Sequence, residues 1–212
     1  MKVVALTSFV LLCAMSLRAQ QSTKFGIRAG VNFQNLNGKD MDGDKLDNKL
    51  KTGFHLGVSA DVPIATDYYI QPGLLFSTKG AKNDDADVTT NISYIEIPVN
   101  FLYKPVLGTG KLLVGFGPYV AFGVGGKVDI NGDKNDIKFQ NSVTPGEFIT
   151  GYYLRRFDAG GNFLFGYEFS NKVFAQLNAQ LGLVNINPDI EGVDEESTLK
   201  NTGFGVSIGY RF

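Results

Sequence analysis

His55 is the only histidine in the chain, and it shares a side-chain parity with Ser59 four residues on. A serine near an imidazole is the start of a nucleophile and its general base, the chemistry of acyl transfer. That chemistry also needs a carboxylate to orient the ring, and no acidic residue is placed beside the pair by spacing alone. His55 is therefore read as a hydrogen-bonded residue near the outer rim, and no catalytic residue is assigned. Asp40-Met41-Asp42-Gly43-Asp44 and Asp129-Ile130-Asn131-Gly132-Asp133 resemble the openings of calcium loops. Both depart from that pattern, because position six is Lys45 or Lys134 instead of Gly and position twelve is Lys51 or Gln140 instead of Glu. They are read as solvated loops, with no metal and no cofactor expected.

A larger set of charges follows the same alternation. Arg28, Asp61, Lys79, Glu96, Lys104, Arg156, Asp158, Glu168 and Arg211 all fall on the face of their segments that otherwise carries Gly, Ser, Asn and Gln. If that face is interior, the charges must pair, because an uncompensated buried charge is costly. The expectation is an interior ion-pair network acting as a plug. Lys79 should meet Glu96 near the outer rim, and Arg28 should lie near Asp61 lower down.

The elements that must position these residues are strands, since the alternation has period two. Eight segments show it: Phe25 to Phe33, Phe54 to Val62, Tyr68 to Lys79, Ile95 to Lys104, Leu112 to Gly125, Arg156 to Phe169, Val173 to Leu181 and Gly203 to Phe212. Ala65-Thr66-Asp67, residues 107–110 and Ser170-Asn171 make short connections, whereas residues 36–50, 83–90, 128–150 and 185–198 make long, polar ones. Strands of about 12 residues, long and short connections in turn, and an even count describe an all-β, eight-stranded antiparallel up-and-down transmembrane β-barrel. A soluble barrel of the same periodicity would have to enclose the rings of the apolar face in a lumen only just wide enough for ordinary side chains. Turning that face to lipid leaves Gly and small polar groups inside. It also sets Phe25, Tyr68, Tyr103, Phe169, Tyr210 and Phe212 as an aromatic girdle at the short-turn end. Pro72, Pro98 and Pro118 cannot donate to a ladder, so bulges or broken pairing are expected beside them.

Composition agrees with this class. The 212 residues suit one domain, and 20 basic against 21 acidic residues give no electrostatic case for nucleic acid. Gly at 26 residues is abundant, Trp is absent, and the 43% hydrophobic content excludes a disordered chain. Met1-Lys2, the apolar run from Val3 to Leu17 and the small Ala19 read as a secretory signal peptide over residues 1–19, leaving a barrel domain at 20–212. Cys13 lies in the removed segment, so no disulfide or cysteine ligand is expected in the exported chain.

The quoted segments resemble a known family. Gly26-Ile27-Arg28-Ala29-Gly30-Val31-Asn32, the run Pro72-Gly73-Leu74-Leu75-Phe76-Ser77-Thr78-Lys79-Gly80, Tyr94-Ile95-Glu96-Ile97-Pro98-Val99-Asn100, Gly117-Pro118-Tyr119 and the closing Gly209-Tyr210-Arg211-Phe212 carry the likeness. It is to the PorT-family, or outer membrane protein beta-barrel domain, proteins of Bacteroidetes-type bacteria. The resemblance implies an outer membrane barrel and carries over no catalytic residue and no secretion role. Val206, Ile208, Tyr210 and Phe212 look like the C-terminal strand signal read by the barrel assembly machinery. The expected function is a non-enzymatic, porin-like, monomeric barrel in outer membrane lipid, with termini in the periplasm. Its outer loops would serve adhesion, envelope stability or docking to an extracellular ligand or envelope partner. The alternatives are an outer-leaflet lipid-modifying enzyme using His55 and a narrow small-solute channel.

Overall fold

Side chains on extended backbone point to opposite faces in turn, and eight such strands close here into one ring. The computed structural model describes residues 22–84, 86–193 and 197–212. The signal peptide expected at 1–19, with Cys13, lies outside the described residues. The ring consists of β1 (Lys24–Lys39), β2 (Lys49–Ala65), β3 (Tyr68–Asn83), β4 (Val88–Tyr103), β5 (Gly110–Ile130), β6 (Phe157–Glu168), β7 (Val173–Gly182) and β8 (Thr198–Arg211). Each pairs antiparallel with the next, and β8 pairs with β1, so the eight-stranded ring closes on itself. Asp67 and Lys172, both at positive φ, turn the chain in two of the short connections.

The outward face is apolar. Phe25, Leu56, Phe116, Phe163, Phe165 and Ile208 are all more than half exposed, a surface that water would penalise and lipid accommodates. At the short-turn end, Tyr68 stacks on Tyr103 at 4.8 Å between ring centres, and Tyr210 meets Phe212 edge-on at 5.5 Å. Val206, Ile208, Tyr210 and Phe212 stand exposed on the last strand, and the Phe212 backbone N–H donates to the carbonyl of Phe25 at 2.8 Å.

The prolines interrupt pairing. Between β3 and β4 the ladder lapses from Gly73 and Leu74 opposite Ile97 and Pro98, and between β4 and β5 from Val99 and Asn100 opposite Gly117 and Pro118. A further register shift at Ser93 and Tyr94 leaves Val124 as an extra residue on β5.

Two expectations need correction. The interior is not filled by small and charged groups alone: Tyr94, Tyr119, Leu102, Leu113 and Phe174 are fully enclosed in it. The long connections at 128–150 and 185–198 are not merely solvated loops either. β5 runs on into a hairpin with Asp133–Phe139, which pairs parallel with Tyr152–Leu154, and Ser142–Val143 pairs parallel with Asp189–Ile190. Between them lies one helical turn, α1 (Pro145–Thr150). Ile137, Leu154 and Ile186 from these connections pack with Leu36, Ile92, Tyr94 and Tyr119 into an apolar cap over the long-loop end of the lumen. Apolar residues separated by polar ones in an apparent loop bury themselves against the barrel mouth.

Candidate functional site

Inward parity on eight strands brings side chains from distant sequence into one lumen, where they form two separate ionic clusters. At the short-turn end, Lys104 Nζ lies 2.7 Å from both Asp61 Oδ2 and Glu168 Oε2. Arg211 completes the group, 2.8 Å from Asp61 Oδ1 and 3.6 Å from Glu168, and it also donates to Ser59 Oγ at 3.1 Å. Two cations and two carboxylates thus alternate around a square, and the Arg211 guanidinium lies over the Phe174 ring at 4.8 Å. Below the cap, Lys79 Nζ lies 3.2 Å from Glu96 and 3.4 Å from Asp158 and sits 4.4 Å above the Tyr119 ring. Gln180 donates to Glu96 at 2.8 Å, and Asn201 donates to Asp158 at 3.0 Å. Asp61, Glu96 and Asp158 are tolerated dry because each has a cation and a further side-chain donor, and Glu168 because it faces both Lys104 and Arg211.

Amides extend the cluster at the short-turn end. Gln71 donates to Asp61 at 2.8 Å, Asn100 to Gln71 at 3.3 Å, and Asn162 to Asn100 at 2.8 Å. An apolar layer of Tyr69, Leu102, Leu113, Leu164 and Phe174 fills space in the same half of the barrel.

Two members of the expected network join neither cluster. Arg28 is buried, but Asp61 is taken by Lys104 and Arg211, and Arg28 makes no ion pair among the described residues. Its Nε is buried with no hydrogen-bond partner. Arg156 is exposed, its guanidinium 5.3 Å from the Phe139 ring. The chain leaves the strand conformation at residues 155 and 156, where the Arg156 carbonyl accepts from the Gly123 N–H, so parity counted back from Asp158 fails there.

His55 has partners that its own strand could not indicate. Its Nδ1 lies 2.6 Å from Asn32 Oδ1 and its Nε2 lies 2.7 Å from Ser207 Oγ, with all three residues buried. Asn32 uses its amide N–H groups on Ser77 Oγ and the Phe54 carbonyl, which leaves its oxygen for the ring. His55 therefore donates from Nδ1, and its Nε2 faces the Ser207 hydroxyl as an acceptor, in competition with Asn178 Oδ1, which lies 3.3 Å from the same hydroxyl. Gly30 makes this possible, since a Cβ there would come within 2.5 Å of the imidazole. Ser59, the serine singled out by parity, is instead bound to Arg211. The polarity is that of a hydroxyl activated by a base, but the group faces the closed lumen and not the lipid wall.

The first carboxylate of each calcium-like segment is engaged in a turn. Asp40 Oδ1 accepts from the N–H groups of Asp42 and Asp44 at 3.0 and 2.9 Å, and Asp129 Oδ1 accepts from Gly132 at 3.0 Å. In the outer segment, the backbone N–H and hydroxyl of Thr144 both bond Glu147, which holds that carboxyl below its usual range and caps α1.

A family model described as the outer membrane protein beta-barrel domain matches residues 18–187. Among solved structures the fold is similar to Ail, the attachment invasion locus protein of Yersinia pestis, at 14% identity and a TM-score of 0.45, covering 91% of this chain and 100% of that one. It is similar to Neisserial surface protein A at 12% identity and a TM-score of 0.48, with the same 91% and 100% coverage. A major outer membrane protein from Thermus thermophilus gives 13% identity and a TM-score of 0.49, again covering 91% and 100%. No curated protein matches the chain in sequence. With most of its length matched by that one model, the chain belongs to the outer membrane protein beta-barrel domain family.

Proposed function

We propose that this outer membrane barrel is a sealed, non-enzymatic platform that displays its long-loop end at the cell surface for adhesion or docking, with its short turns and both termini in the periplasm. The observation that carries this reading is the apolar cap. Ile137, Leu154 and Ile186 insert from the long connections into the barrel mouth, which both closes the lumen and fixes an outer substructure on a rigid wall. That substructure exposes Phe148, Ile149 and Tyr152, with Ile149 83% exposed, where a binding surface would need apolar contacts. The exposed Val206, Ile208, Tyr210 and Phe212 serve assembly into the membrane as the terminal strand signal.

The test is a cell strain carrying the chain with residues 145–150 replaced by Gly and Ser, compared with the wild-type strain and a deletion strain. Surface labelling of a tag inserted at Gly146 reports orientation, and binding of cells to host or neighbouring-cell surfaces reports the role. Loss of binding with a normally inserted barrel supports display. Unchanged binding in both altered strains, or labelling only after cell lysis, rejects it.

A second reading draws on Ser207, His55 and Asn32, whose bond polarity suits hydrolysis. Their burial in the lumen, away from the lipid face, weighs against access by a lipid ester. Labelling of Ser207 by a fluorophosphonate, abolished by His55→Ala, would favour that reading over display alone.

A further inference from the structure

On the outward wall the apolar belt ends abruptly between β4 and β5. Ile97, Phe122 and Val124 face out below this level, whereas Ser93, Asn91 and Lys127 follow above it. The change falls at the bulge where the register shifts at Ser93 and Tyr94. Immediately above, Asp133–Phe139 pairs beside β5 and extends the wall, and an open cleft of about 620 Å³ lies over this face. Asn91, Ser93, Lys127, Asp129, Lys134 and Asp136 line the cleft together with Gly126 and the apolar Ile137, and Gly125 leaves its floor open, since a Cβ there would meet nothing within 4 Å.

Two features define what such a cleft would hold. Its two lysines and two aspartates cancel, so net charge selects neither a polyanion nor a polycation. The lining instead alternates donors with acceptors, and its one close ion pair, Lys127 with Asp136 at 3.6 Å, is solvent-exposed and weak. A ring bearing several hydroxyls uses donors and acceptors together in this way. The cleft also stands directly on the apolar belt, so its occupant has a polar head at the level of Ser93 and hydrocarbon at the level of Val124. On the reading that the long-loop end faces outward, that level is the outer leaflet's boundary between headgroups and chains.

We infer that this cleft binds the sugar headgroup of an outer-leaflet glycolipid, with the lipid's acyl chains lying along Ile97, Phe122 and Val124. The wall then holds one lipid in a fixed orientation beside the displayed outer segment.

Amide NMR of the full chain in detergent, titrated with rough lipopolysaccharide, tests this directly. Saturable shifts should centre on Gly125, Gly126 and Lys127. Asn91→Ala combined with Asp129→Asn should weaken the apparent affinity at least tenfold, and Asp42→Asn, in a separate outer loop, should leave it unchanged. Heat-dependent gel mobility checks that the double variant is folded, and the single turn variant Lys134→Ala supplies the same readout if it is not. Equal shifts with phosphatidylglycerol or inorganic phosphate would mean simple anion attraction and overturn the sugar assignment, as would no shift or equal weakening by Asp42→Asn. Failure here leaves the Gly146 labelling result untouched, so loss of the cleft and loss of the display reading are separate outcomes.

Discussion

Arg211, the last inward-facing residue of the final strand, lies 2.8 Å from Asp61 on β2, two strands away across the barrel seam. The contact ties the closure of the barrel to its interior charge. Removing Arg211 would leave Asp61 and Glu168 sharing Lys104 alone. Arg211→Met should therefore lower unfolding stability in detergent by about 3–5 kcal/mol, the loss typical of a broken buried pair. Urea titration followed by gel mobility measures it, and a change no larger than that of a surface-loop substitution would refute the square arrangement.

Lys79 serves two carboxylates, and this sets an order among substitutions. Lys79→Met strands both Glu96 and Asp158, whereas Glu96→Gln leaves Lys79 still paired with Asp158. The first should cost more. Adding Glu96→Met to Lys79→Met should recover only part of the loss, because Asp158 stays uncompensated. Full additivity of the two substitutions would show that the side chains are not coupled.

Arg28 should behave in the opposite way. It is buried, lacks an ion pair among the described residues, and has a buried Nε without an acceptor. Arg28→Met should leave stability within about 1 kcal/mol of the native value or raise it, since desolvation of the cation is relieved. A loss equal to that of Arg211→Met in the same titration would contradict this.

The cap predicts a separation of local from global stability. Ile186 is fully buried among residues from the barrel mouth and the folded loop. Ile186→Ala should cost the cap about 2–5 kcal/mol. Limited proteolysis should then cut within residues 140–151, while heat-dependent mobility of the barrel itself persists. Simultaneous loss of both would mean that the cap and the wall unfold as one unit.

Strand number, connectivity and the direction of each face can be read from the sequence because alternation is local and every strand carries it. Lys79 and Glu96 are within reach of the same logic, since they lie on adjacent strands joined by a short register argument. The partners of Asp61 are not: Lys104 and Arg211 arrive from β4 and β8, and the stagger of a closed barrel decides which of several inward cations reaches a given height. Arg28 has the right parity and the wrong height. Arg156 fails for another reason, because parity holds only while the backbone stays extended. Ser207 is 152 residues from His55, a contact created by closure of β8 onto β1 next to β2. The cap escapes a reading of the sequence because Ile137 and Ile186 stand singly among polar neighbours and Leu154 ends a three-residue run too short to show a period, although Ile137 and Phe139 do alternate with Asp136 and Lys138.

Closure of the lumen rests on two ionic clusters, an apolar layer and the cap. Planar-bilayer recording from the purified, refolded chain tests it most directly. The native chain should give no unitary conductance above the bare membrane at either polarity. Reproducible single-channel steps from the native chain, abolished by heat unfolding, would contradict it.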